Sequence, residues 1–164
     1  MNILVLKKLL FILGLTTLAP FMGLSSKPSP QEIEPAMVLQ EVRSENELVT
    51  LENKFQQSPD FDTSKVDQLI KVRMIEEGSV APFKRNIEAT LLLWDAGLRD
   101  PNVFMATLLK DSQIDQTVIV HLYGPEVSSL LNEMQSQAEP QMSDSAKMIL
   151  MAFEEVDQHK EPHF

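Results

Sequence analysis

The side chains to weigh first for chemistry are three histidines, nine methionines and 24 carboxylates, in a chain with no cysteine. Without a thiol there is no disulfide, thiolate nucleophile, zinc-thiolate site or iron–sulfur cluster. His121 is the one histidine inside the folded region, so a Ser–His–acid triad would have to use it. It stands beside Val118 and Leu122 at the edge of an apolar face, and the expectation is a partly buried structural histidine.

His159 and His163 have the spacing of a metal pair, but Pro162 between them prevents a regular helix from presenting both on one face. Glu161 or Asp157 would add oxygen ligands. Met142, Met148 and Met151 lie close in sequence, and thioether with imidazole suits copper(I). Methionine is also a common core filler. The expectation is therefore no metal, with Met142, Met148, Met151, His159 and His163 as the alternative ligand set. Asp60, Asp62 and Ser64 imitate the opening of a calcium loop, but Lys65 stands where its glycine belongs and Lys71 where its glutamate belongs.

Beyond the first 25 residues only Gly78, Gly97 and Gly124 remain, too few for a phosphate loop or a dinucleotide fingerprint. The G-x-S-x-G elbow and the H-E-x-x-H helix are absent. A carboxylate pair for glycoside hydrolysis has no specificity as a signal among so many acids. No catalytic residue and no cofactor are assigned. Trp94, His121 and Tyr123 are the candidate interface residues. For Trp94, core packing is the competing expectation, because it recurs at helical spacing with Phe83, Ile87, Leu91 and Leu98.

The elements that must position these side chains all read as helix. The spacing predicts a helix over 33–43, with Ser44 and Glu47 as a capping box that restarts or kinks it. Leu48, Leu51 and Phe55 continue the apolar face, and 58–62 is a loop. A helix over 64–77 is expected with Ser64 as its cap and Gly78 at its end. Pro82 opens what should be the central helix. Asp100-Pro101 starts the next, with Phe104, Met105, Leu108 and Leu109 inward. Ser112 and Asp115 form a further capping box ahead of Ile114, Val118, Leu122 and Tyr123. Residues 117–122 are rich in β-branched side chains but have no second such run to pair with, so they stay helical. Gly124-Pro125 and Pro140 separate the last helices, and Ser143 or Asp144 caps the final one. Lys84 with Glu88 and Asp95 with Arg99 are expected as surface pairs. The fold class is all-α, a compact bundle or irregular array of about six short amphipathic helices over 33–157, followed by a frayed tail over 158–164.

Ahead of that domain, Lys7 and Lys8 precede an apolar run from Leu9 to Leu24, in the order of a secretory signal. The run falls short of the roughly 20 residues of a spanning helix. Residues 1–25 are read as a signal peptide cut between Ser25 and Ser26, or alternatively as a retained anchor, and 26–32 as a linker rich in proline and serine. The formal net charge is −10, and Lys7 and Lys8 are the only charges before Ser26. That balance opposes nucleic acid and anionic membrane and favours a basic protein partner. The expectation is a non-catalytic, exported binding or accessory protein: an adaptor, inhibitor or chaperone-like subunit of the cell envelope, periplasmic or secreted. The alternative is a membrane-tethered subunit that keeps its N-terminal segment. A carboxylate-dependent hydrolase and a Met/His soft-metal binder stand behind both.

Overall fold

The computed structural model describes residues 35–136 and 139–160, with side chains from 41 onward. The signal, anchor and linker assignments, and His163 with the rest of 161–164, lie outside the described residues. The described residues belong to one compact unit. Among the described residues there are seven α-helices and no strand: α1 Pro35–Gln56, α2 Thr63–Glu77, α3 Lys84–Asp95, α4 Pro101–Leu109, α5 Gln116–Tyr123, α6 Pro125–Ser136 and α7 Asp144–Gln158. Short 3-10 turns at Ala81–Phe83 and Glu139–Gln141 lead into α3 and α7. None of the described helices is long and apolar enough to cross a membrane.

The all-α class is as expected, but several boundaries differ for local reasons. α1 runs unbroken for 22 residues through the expected kink. No glycine or proline interrupts it after Pro35, and Ser44 lies fully buried on the same stripe as Leu48, Leu51 and Phe55. Ser44 is therefore a buried small side chain within the helix and not the cap of a new one. At α2 the cap is Asp62, whose carboxylate accepts from the Ser64 amide, and not Ser64 itself. α2 ends at Gly78, whose φ of 77° is the left-handed conformation that a side chain disfavours. At α5 the cap is Asp115, accepting from the Thr117 amide, and not Ser112. That later start turns Ile119 and Tyr123 inward and leaves Val118 exposed.

Pro82 lies within a 3-10 turn that begins at Ala81, and the α-helix starts at Lys84. α3 then closes in a Schellman motif: the Leu98 amide bonds the Leu93 carbonyl, and the Gly97 amide bonds that of Trp94. Leu98 therefore lies past the helix, while Gly97 supplies the positive φ of 93°. α3 packs on α1, α4 and α7, which gives it the central place expected of it. Its most buried side chains are Asn86, Ile87, Ala89, Thr90 and Leu93, whereas Leu91 and Trp94 are only half-buried. The inner face is thus rotated toward two polar residues. Both are satisfied: Thr90 Oγ1 donates to the Asn86 carbonyl at 2.7 Å, and Asn86 Nδ2 reaches the end of α4. α4 is buried at every position from Val103 to Leu109 and forms the middle of the core, against α3, α6 and α7.

Ion pairs tie the outer helices down. Arg85 of α3 forks onto Asp157 of α7 at 2.8 and 2.5 Å, which holds that carboxyl below its usual range. Lys84 pairs with Glu88 as expected and also lies 3.6 Å from Glu47 of α1. The expected Asp95–Arg99 pair does not form. Asp95 bonds Lys54 of α1, and Arg99 stacks on Trp94 at 4.0 Å from the ring centroid.

Candidate functional site

A loop residue completes the most distinctive cluster in the fold. Phe61, between Asp60 and Asp62, turns inward to stack on Phe55 with ring centroids 4.7 Å apart. Trp94 and Phe104 close the group, with Trp94 5.4 Å from Phe61 and 5.5 Å from Phe104. Four aromatic rings from α1, the 58–62 loop, α3 and α4 are therefore in mutual contact. Such pairs add about 1 kcal/mol each beyond their burial.

One side of this cluster is the wall of a pocket of about 130 Å³. Phe55, Phe61 and Phe104 meet Val66, Met105, Leu108, Tyr123 and Val127 there, so its interior is apolar. Asp60, Asp62, Lys65, Pro101 and Asn102 complete the lining and include all of its charged side chains. One cap and one ring contact place two of these charges. Asp62 is held by the Ser64 amide and hydroxyl, which lower its carboxyl below the usual range, and the loop that carries Asp60 is drawn in by Phe61. Tyr123, 6% exposed, lines the pocket from the last turn of α5. Its hydroxyl is buried with no hydrogen-bond partner among the described residues, and burial raises its pKa.

The volume limits what can enter. Small-molecule and cofactor sites run to several hundred Å³. A cavity of about 150 Å³ accommodates a benzene ring. The space here suits a single side chain.

No protein-family model, curated protein or solved structure matches this chain.

The expected site residues separate. Of the three interface candidates, Tyr123 lines the pocket, and Trp94 packs behind it against three of the lining rings. His121 is exposed on α5, which corrects the expectation of a partly buried histidine. With its cap at Asp115, α5 turns position 121 outward. The described members of the soft-metal set lie apart. Met142 is buried ahead of α7, while Met148 and Met151 are exposed on it. His159 caps the C-terminus of α7, its Nδ1 lying 2.8 Å from the Glu155 carbonyl. Two helical turns separate it from Met151, a rise of about 12 Å. Among the described residues no group of three histidine or carboxylate side chains could hold a metal.

Carboxylates with raised pKa values lie elsewhere than in the pocket. Glu47 is raised by burial and by Glu88, against the pull of Lys84. Glu77 is raised by burial despite Arg73. Glu52 is raised by burial and by Asp67 across the α1–α2 contact. A glutamate raised in the folded state stabilises it fully below its unfolded pKa, and that contribution is lost as pH rises through the folded value. Glu52→Gln is therefore expected to stabilise the protein at pH 7, by less than about 1 kcal/mol because the site is partly exposed. The gain should vanish as pH falls to the ordinary glutamate value of 4.5. Thermal unfolding of both forms across that range measures it, and a gain that persists in acid would contradict the assignment.

Three residues with evident structural roles were not singled out from the sequence: Phe61, Asn86 and Arg73. An aromatic side chain inside an otherwise polar loop is the cue that could have marked Phe61.

Proposed function

We propose that this chain is a non-catalytic, exported binding module that docks a protein partner through the Phe61–Tyr123 pocket. The observation that carries the reading is the match between that pocket and one side chain. It is too small for a cofactor, apolar within, and opens beside carboxylates on a chain of net charge −10. Interfaces concentrate their energy in such anchor pockets. An acidic surround selects basic partners and accelerates their encounter at low salt. Lys7, Lys8 and the apolar run behind them support export, with the domain outside the cytoplasm.

A photo-crosslinking amino acid at Lys65, beside the pocket, should yield discrete protein adducts in the envelope or secreted fraction. The same group at Ile75, 80% exposed on α2, serves as the control. Asn102→Trp, which covers the opening from a half-buried position, should abolish the Lys65 adducts. Adducts that survive it, or none at Lys65, would remove the docking reading. Intact mass decides between the two forms of export. Loss of residues 1–25 means a released domain, and the full mass means a tethered subunit.

A further inference from the structure

The pocket's surroundings carry more than its size. Four charged side chains stand at or next to it, and they are not equivalent. Asp62 is committed to capping α2 and faces Lys65. Asp100 directly precedes the lining Pro101 and is committed to capping α4 through the Asn102 amide. Asp60 lines the pocket, is exposed, and has no ion pair or hydrogen bond among the described residues. Lys65 has no side-chain hydrogen bond or ion pair among the described residues either, but three carboxylates stand against one ammonium group, so the surroundings of the pocket are net negative.

The interior offers a complementary constraint. Phe61 and Phe104 stack 5.4 Å apart, and Tyr123 completes an apolar lining with its hydroxyl unsatisfied. A side chain entering there leaves its own backbone and neighbours at the surface, against Asp60. An acidic neighbour would meet an excess of like charge, three carboxylates against Lys65, whereas a basic one would find the unpaired Asp60 carboxylate.

We propose that the pocket recognises a partner segment in which an apolar anchor side chain stands next to a lysine or arginine, with the anchor against the Phe61 and Phe104 wall and the cation at Asp60. This rests on the docking reading and names the chemistry of its partner. It makes the pocket a selector of charge as well as of shape.

Trp94 supplies the readout. It is the only tryptophan in the chain, and it contacts Phe55, Phe61 and Phe104 of the lining. Three probes of one ring each separate the contributions: toluene, phenethylamine with its cation, and phenylacetate with its anion. Titrated into the full chain with excitation selective for tryptophan, toluene should shift the emission at concentrations on the order of millimolar, as its few atoms allow. Phenethylamine should bind about fivefold more tightly than phenylacetate at low salt. That ratio should shrink in high salt. Asp60→Asn should bring it toward unity and leave toluene unchanged. Toluene binding with no preference for the cation would overturn this inference and leave the docking reading standing. A response to none of the three would overturn the inference as well, and the Lys65 crosslink then decides the docking reading separately.

Discussion

Asn86→Asp is expected to cost about 4 kcal/mol of stability, although it changes the side chain by a single group. The Asn86 Nδ2 group donates to the carbonyls of Thr107, Leu108 and Lys110, at 3.0, 3.2 and 2.7 Å. These are carbonyls of the last turn of α4 and its cap, where helical partners run out, although the Lys110 amide also bonds that of Thr107. The side chain is 5% exposed, so water does not substitute. A carboxylate there would remove both donors and place a negative charge against three carbonyl oxygens at the negative end of the helix dipole. Asn86→Ala loses the donors without adding the charge, and should cost about 2 kcal/mol. The ordering is the diagnostic result. Urea unfolding at pH 7 should rank the parent above Asn86→Ala, and Asn86→Ala above Asn86→Asp. The aspartate deficit should narrow in acid, where protonation restores one donor. If the two variants were equally stable, the side chain would not be capping α4.

Arg73→Ala should cost about 3 to 5 kcal/mol, the range for removing one member of a buried pair. Arg73 is 2% exposed on α2, with Nη1 3.1 Å from Glu76 and Nη2 2.5 Å from Glu77. Its guanidinium also stands over the Phe83 ring, 5.3 Å from the centroid. Glu76 in turn accepts from the Gln113 amide in the turn ahead of α5. Removing the cation strands Glu77, already raised by burial, and weakens the tie from α2 to that turn. Glu77→Gln in the Arg73→Ala background should recover about 1 kcal/mol, since a neutral amide there costs less than an unpaired carboxylate. Denaturant midpoints of the single and double variants give the coupling directly. A loss under about 1 kcal/mol for Arg73→Ala would mean that the guanidinium and its partners are solvated as an ordinary surface pair.

Both residues show where reading from apolar periodicity falls short. The recurrence of Phe83, Ile87, Leu91, Trp94 and Leu98 correctly marks α3 as a helix and places it centrally. It also sets the inner face too far toward Leu91 and Trp94. The buried face includes Asn86 and Thr90, and a count of apolar side chains passes over them. Capping motifs behaved similarly. Asp100, Ser143 and Gly78 act as their types suggest. Ser44 and Ser112 match a capping box in sequence yet neither starts a helix, because Ser44 sits within a continuing one and Asp115 caps three residues later. A motif of this kind states what a hydroxyl can do if the backbone stops there, and leaves open whether it stops. The pocket was legible only in parts. Tyr123 was among the candidates, whereas Asp60, Phe61 and Asp62 read as an ordinary polar loop.

What the sequence alone determined is local. Periodicity of 3.6 residues, breakers and caps pointed to an all-helical array of about six helices, where seven form among the described residues with no strand, and composition made the chain acidic and free of thiol chemistry. Tertiary structure decided which polar groups may be buried and where a cavity remains. Asn86 meets Lys110, Arg85 meets Asp157, and Phe55, Phe61, Trp94 and Phe104 meet each other only once distant segments are packed. The physical reason is that backbone propensity acts over a few residues, whereas the cost of an unsatisfied donor or an unfilled space is settled by whichever neighbours arrive from elsewhere in the chain.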